Sequence, residues 1–324
     1  MGTQLISMRE PDTLSLGAML RYCRPEGSKT ERAFIKRFIT PLGVEPDKRG
    51  NLIKAIGENP SVLWSCHTDT VHRKGGEQEM LYTNGIITLA AASKSNCLGA
   101  DDTAGIWLMR EMILCNIPGL YIFHRGEEKG GIGSRHISSN TPKVLSNIKH
   151  AIALDRKGTD SVITFQWSGR CCSDEFAKEL GNRLGDYKTD SGGSFTDTAN
   201  YMRLVPECTN LSVGYRWEHS HNEELNVVHL LKLRKALIGL NLDGLPIKRD
   251  PAKHESKHTY YGSYSGGEHS DYGRTSGHDS KRRAWQNSYC QDCYRSTQFC
   301  QCESAAADAP FDCKETIRRN PDSV

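Results

Sequence analysis

The chain lacks any apolar run near the roughly 18 residues needed to cross a bilayer, so no membrane-spanning helix is expected. Its first residues, MGTQLISMREPD, lack a basic start followed by an apolar stretch, so no secretory signal is expected either. Charge of one sign is missing too: 42 Lys and Arg stand against 39 Asp and Glu, a net +3 in 324 residues. That balance offers nucleic acid no global attraction. Cysteine is not scarce: there are twelve, seven scattered over residues 1–248 and five crowded into 290–313. Without a signal sequence they read as free thiols or metal ligands rather than as a disulfide framework, and the cytoplasm is the expected compartment.

What the chain does have is a series of apolar strands that end on acids and histidines. Ser61-Val-Leu-Trp-Ser-Cys-His67-Thr-Asp69 is a short apolar run without helical period, which reads as a buried strand. Ligand sites in open α/β sheets form beyond the carboxyl ends of strands, where His67 and Asp69 stand. Alone, His-x-Asp is as well explained by a turn histidine beside a capping aspartate. The pattern recurs, however. Gly119–His124 leads to Glu127 and Glu128, Ala151–Leu154 leads to Asp155, and Leu211–Arg216 leads to His219. Asp101 and Asp102 stand at the mouth of the helical run Ile106–Leu114, where one would serve as the helix cap.

Around these runs, Leu14–Cys23 and Thr30–Ile39 read as helices and Leu52–Ile56 as a strand. Met80–Leu89 reads as a hairpin about Asn84-Gly85, and Glu223–Leu240 as an amphipathic helix. His72, His124 and His136 fit no ligand position and are expected in loops or at the surface. The expected fold is α/β: a mostly parallel twisted sheet with helices on both faces.

Histidines and carboxylates without thiolates suit catalytic rather than closed structural zinc. Two imidazoles and three carboxylates suit two divalent ions about 3.5–4 Å apart that share a carboxylate and a water. A further carboxylate must move the proton, and the Glu127–Glu128 pair supplies it, because adjacent side chains diverge.

These motifs resemble the dinuclear zinc exopeptidase clan of aminopeptidases, peptidase T-like tripeptidases, carboxypeptidases and amino-acid deacylases. The resemblance covers roughly residues 14–243. It is carried by Gly50-Asn-Leu-Ile, His67-Thr-Asp69-Thr-Val, Gly99-Ala-Asp101-Asp102-Thr-Ala-Gly105, Gly126-Glu127-Glu128, Leu154-Asp155 and Arg216-Trp-Glu-His219-Ser-His-Asn-Glu223. It implies that Asp101 bridges two metals across a cis Asp101–Asp102 peptide. It assigns His67 and Asp155 to one metal, Glu128 and His219 to the other. Asp69 would orient His67, and Glu127 would be general base and acid. His219 is preferred to His221 because a glutamate, Glu223, follows four residues later. Only 63 residues separate Asp155 from His219, too few for the clan's lid domain. The Gly192–Asn200 segment would lie beside the substrate, or would simply be a turn and a cap at Asp197. Arg125 and Arg156 would balance the acidic site or bind a substrate carboxylate.

The expected organisation is a catalytic domain over residues 1–248, a disordered linker over 249–289 and a Cys-rich tail over 290–324. Cys290, Cys293, Cys300 and Cys302 could hold a third, structural zinc or remain free, and the tail could recruit a partner protein. The expected function is a metal-dependent exopeptidase (an aminopeptidase or a di- or tripeptidase) that activates water with two divalent ions. Zinc is the first choice of metal, with cobalt or manganese as alternatives. An N-acyl amino acid deacylase or amidase, or a non-catalytic binding protein on this fold, are the alternatives. The partner is a short peptide or N-acyl amino acid, with neither membrane nor nucleic acid.

Overall fold

The computed structural model describes residues 12–167 and 169–256. The four tail cysteines and most of the expected linker lie outside the described residues. An eight-stranded sheet forms the centre. Its strands are β1 (Glu45–Pro46), β2 (Leu52–Ile56), β3 (Val62–His67), β4 (Gly119–His124), β5 (His150–Arg156), β6 (Ser161–Ile163), β7 (Lys188–Asp190) and β8 (Glu207–Ser212). Their order across the sheet is β7-β6-β8-β5-β3-β4-β2-β1. The middle strands β8, β5, β3 and β4 run parallel to one another. The expected mostly parallel sheet is therefore present, with antiparallel strands toward its edges.

β3, β4 and the first six residues of β5 are buried throughout, which explains why they read as continuous rather than alternating apolar runs. Alternate side chains still go to opposite faces. Trp64, Tyr121, Phe123, Ile152 and Leu154 pack on one face with the helices Ala100–Leu114 and Val227–Ile238. Leu63, Leu120, Ile122 and Ala151 pack on the other with Ile137 of the helix Ile132–Asn140 and with Tyr201 and Val205. Helices thus cover both faces.

Between Asp155 and His219 the chain builds β6, the small antiparallel pair Phe165–Gln166 and Gly169–Arg170, the helix Asp174–Leu184, β7, the short turn Asp197–Tyr201, β8 and the two-residue strand Tyr215–Arg216. β6, β7 and β8 join the main sheet, and among the described residues this stretch holds no lid domain.

Several expected bounds shift. The first helix is Thr13–Leu20, because Tyr22 and Cys23 pair with Glu77 and Gly76 instead. The helix expected from Glu223 begins at Val227, because Glu224–Asn226 join the hairpin of Met80–Thr83 and Ile86–Leu89 as a further strand. The fourth apolar run does not deliver His219 from a strand end. β8 stops at Ser212, and His219 follows a two-residue strand, Tyr215–Arg216. Arg249, at the start of the expected linker, is buried and donates to the carbonyls of Met202, Val205 and Pro206. No described helix is long and apolar enough to cross a membrane. The seven described cysteines are all unpaired, Cys171 and Cys172 among them.

Candidate metal centre

β3, β4 and β5 end side by side and deliver His67, the Glu127–Glu128 turn and Asp155 to one place. His67 is buried. Its Nδ1 lies 3.0 Å from the carbonyl oxygen of Asp69, to which only an N–H can donate. That leaves Nε2 as the nitrogen that carries a proton or would take a cation in its place, and it faces Asp101 Oδ1 at 3.0 Å and Asp155 Oδ1 at 3.5 Å. The Asp69 carboxylate stands 3.6 Å from Nδ1, farther than its own carbonyl. Its oxygens instead accept the backbone N–H groups of Glu127 and Glu128 at 3.1 and 3.2 Å. Asp69 thus holds the imidazole through its backbone and the glutamate turn through its side chain.

The two adjacent aspartates divide the roles that sequence left open. The peptide between them is cis, as the resemblance implied. Asp102 turns inward. One of its oxygens caps the helix by accepting Gly105 N–H at 2.9 Å, and the other accepts His67 N–H at 3.2 Å. Gly105 has no room for a Cβ, which would stand 2.2 Å from the Leu154 carbonyl oxygen and 2.4 Å from Asp102 Oδ1. Asp101 turns outward. Its Oδ1 faces His67 Nε2 at 3.0 Å, and its Oδ2 faces His219 Nε2 at 3.1 Å. Burial disfavours its charge, but hydrogen bonds to His219 and His67 outweigh that and hold the carboxyl below the usual range.

The Asp101 loop is fastened by Glu223, which the sequence pattern marks only as the glutamate following His219. The buried Glu223 carboxylate accepts the N–H groups of Leu98, Gly99 and Asp101, each at 2.9 Å. Glu223 follows His219 by four residues, so one side chain ties the loop bearing Asp101 to the loop bearing His219. His219 has a left-handed backbone (φ 64°), and its side chain is 48% exposed. Its Nε2 is 2.9 Å from Glu128 Oε1. The Asp101 and Glu128 carboxylates beside it push its pKa up to about 11. His221 faces away, with Nδ1 2.9 Å from the Ser95 carbonyl.

Asp155 is oriented from three sides. Its N–H donates to Asn210 at 2.9 Å, Tyr215 OH donates to Oδ1 at 3.1 Å, and Thr196 Oγ1 donates to Oδ2 at 2.7 Å. Neither Thr196 nor Tyr215 carried a signal in the sequence. Behind the cluster, the fully buried Arg24 donates to the Thr68 carbonyl and to Thr103 Oγ1 and stacks over Phe34. Burial draws its pKa down to about 10, while Glu31, Asp102 and Asp69 keep it charged. A fixed cation therefore offsets part of the buried acid.

These residues fit a pair of cations. Ligands bound at about 2.0–2.2 Å to one tetrahedral ion stand roughly 3.3 Å from each other. The contacts of Asp101, Asp155, Glu128 and the two imidazoles, 2.9 to 3.5 Å, are of that size. Among the described residues Asp101, Glu128 and His219 form one group, His67, Asp102 and Asp155 a second, and His67, Glu127 and Glu128 a third. In the second, both Asp102 oxygens already accept N–H donors, whereas Asp101 Oδ1 stands beside the same imidazole at 3.0 Å. Glu128 Oε1 is buried and, outside hydrogen-bond geometry to His219, has no hydrogen-bond partner among the described residues.

A cavity of about 100 Å³ opens over the cluster. Glu127 lines it with Asp101, Asp155 and His219, and Glu128 does not. The neighbouring glutamates therefore diverge. Burial first, opposed by His67 and reinforced by Asp155, Asp197 and Glu128, raises the Glu127 pKa well above the usual carboxyl range. Gly193, Ser194 and Phe195 line the same cavity, so the glycine-rich segment does lie beside it.

One expectation about the histidines fails: His124 is buried at the end of β4, neither in a loop nor at the surface. His72 is in a loop, as expected, though buried. His124 sits between Tyr201 OH at 2.6 Å and Ser65 Oγ at 3.1 Å, and burial lowers its pKa to about 3. His72 bridges Thr70 and Gln78, and burial lowers its pKa to about 4. Hydrogen bonds at both ring nitrogens let a neutral imidazole be buried. Arg125 pairs with Glu26 at 2.8 Å, away from the cluster, whereas Arg156 lines the cavity.

No protein-family model matches the chain, and no curated protein matches its sequence. Solved structures do share its fold. Aminopeptidase PepT from Bacillus cereus superposes with a TM-score of 0.57 at 18% identity, over 70% of this chain and 96% of that one. A tripeptidase from Staphylococcus aureus gives 0.57 at 15% identity, over 70% and 95%. The TET1 peptidase of Pyrococcus horikoshii gives 0.51 at 16% identity, over 70% and 98%. The chain has the fold of these peptidases.

Proposed function

We propose that the chain is a metal-dependent exopeptidase acting on short peptides, an aminopeptidase or a di- or tripeptidase. One observation carries this: Asp101 presents one carboxylate oxygen to each of two imidazoles, His67 and His219, at 3.0 and 3.1 Å. His67 and Asp155 would hold one divalent ion, Glu128 and His219 the other, with Asp101 shared. The chemistry such ions supply when bound is Lewis acidity at a carbonyl and a water of lowered pKa.

The chain's own residues supply the rest. Glu127, carried on the turn that Asp69 fastens, projects into the cavity without serving as a ligand. It takes a proton from the attacking water and returns it to the leaving amine. A carboxyl raised by burial is suited to that exchange, because it accepts a proton readily in this setting. Ile163, Phe195 and Tyr215 supply the apolar part of a mainly polar cavity wall, where a substrate side chain would rest. Zinc fits the nitrogen and oxygen donor set, and cobalt or manganese would fit it as well. The unpaired thiols suit a reducing compartment, so the cytoplasm is the compartment assigned. The division at residue 248, the linker to 289 and a structural zinc on Cys290, Cys293, Cys300 and Cys302 belong to the same proposal.

The test is a screen of dipeptides, tripeptides and N-acyl amino acids with full-length protein loaded with zinc, cobalt or manganese, with and without chelator. Cleavage of unblocked peptides that stops on chelation is expected. No cleavage with any metal, or cleavage indifferent to chelator, would overturn the proposal; cleavage of N-acyl amino acids alone would make the chain a deacylase.

A further inference from the structure

The cavity wall also carries polar groups without a partner among the described residues. Gln166, on the short strand Phe165–Gln166, is 4% exposed, and it lines the cavity. Neither its Nε2 nor its Oε1 has a hydrogen-bond partner among the described residues. Arg156 lines the same cavity, and its Nε is also buried and unpartnered. Its Nη2 is occupied by the Gly192 carbonyl at 3.1 Å and by Asp190 Oδ2 at 3.4 Å. The guanidinium is thereby fixed, with its Nε–H left over.

A buried carboxamide with both ends unpaired is costly unless a ligand completes it. The unmet inventory is three N–H donors, two on the Gln166 amide and the charged one on Arg156, and one carbonyl acceptor. A free carboxylate with a neighbouring N–H answers it: the carboxylate takes Arg156 Nε–H and Gln166 Nε2–H, and the N–H goes to Gln166 Oε1. That pairing of groups is the C-terminal residue of a short peptide.

We infer that Gln166 and Arg156 form a subsite for the free α-carboxylate and adjoining N–H of a short peptide's last residue, and so limit substrates to short, unblocked C-termini. The inference rests on the peptidase proposal and deepens it. Glu218 holds Lys157 at 2.7 Å, so Lys157 is spoken for. Gly193 closes the subsite from above. A Cβ there would stand 2.3 Å from the Phe165 carbonyl oxygen and 2.4 Å from the Ile163 side chain, so the glycine-rich segment lies directly on the strand that bears Gln166.

Binding tests this without turnover. Zinc-loaded full-length protein carrying Glu127→Gln is titrated by calorimetry with dialanine and trialanine, each as the free acid and as the C-terminal amide. The acid is expected to bind at least about tenfold tighter than its amide at one of the two lengths, as a charge-assisted hydrogen bond allows. Adding Gln166→Met, which keeps the volume and removes the amide, should cut that ratio to within about threefold of unity. Gln166→Glu should reverse it, with melting temperature as the check on folding. No acid preference at either length, including no binding at all, overturns the subsite even if every variant is well folded. A preference that Gln166→Met leaves intact removes Gln166 from it. If the acid preference is found while the unmutated protein cleaves no peptide with any metal, the peptidase proposal fails and the subsite stands. If peptides are cleaved but acids and amides bind alike, the reverse holds.

Discussion

The two halves of the centre are built differently. His67 and Asp155 stand at the ends of central strands, are nearly or fully buried, and have partners behind every polar atom but those facing Asp101. His219 stands on a loop, half-exposed, with a left-handed backbone and an exposed Trp217 beside it. A ligand fixed by a sheet is preorganised, whereas a ligand on a loop must be ordered when it binds. If each half holds an ion as proposed, the difference predicts unequal affinities in two halves joined by particular residues: Asp101 between them, and Glu223 beneath the Asp101 loop.

The largest effect should come from a change that touches neither half. Glu127→Gln is expected to lower kcat by about 10³-fold, within the range of general acid–base catalysis, while both ions stay bound. Elemental analysis beside the rate measurement checks it. Lost metal would move Glu127 into the ligand set, and a normal rate would reject its role.

Cutting the tie between the halves comes next. Glu223→Ala strips the acceptor from three N–H groups and should destabilise the fold by about 3 kcal/mol or more, read from denaturant unfolding. Unchanged stability would mean the clamp is not what holds the Asp101 loop.

A chelator titration then measures the inequality itself. The ion at Glu128 and His219 should leave first, and His219→Ala should weaken it by about 10–100-fold with a smaller effect on the other. His67→Ala, by contrast, should lower total metal content under the same conditions. Simultaneous release of both ions would erase the contrast between sheet and loop. The smallest effect is expected at His221, only two residues from His219 but turned toward Ser95. His221→Ala should leave metal content and rate within about twofold, as a surface substitution does.

The same contrast governs what could be read from sequence. β3, β4 and β5 were legible because strands buried on both faces write unbroken apolar runs; the partly exposed Leu52–Ile56 also matches to the residue. The acids and His67 at their ends followed from that. The loop half was legible only through its resemblance to a known pattern. Apolar character continues through Leu211–Tyr215, although the chain bends after Ser212, so the strand that was to deliver His219 was drawn too long. His124 was misjudged because burial of a neutral imidazole depends on Tyr201 and Ser65, which are far off in sequence. Gln166 left no trace at all. A glutamine in a short strand is ordinary until its surroundings prove empty of partners.

The central claim is that two cations sit on either side of the Asp101 carboxylate. Anomalous diffraction at the zinc edge, from crystals of the zinc-loaded protein, tests it most directly. Two peaks are expected, one beside His67 and Asp155 and one beside His219 and Glu128, each within ligand distance of a different Asp101 oxygen. No peak at Asp101, with protein side chains closing the space between His67 and His219, would contradict it.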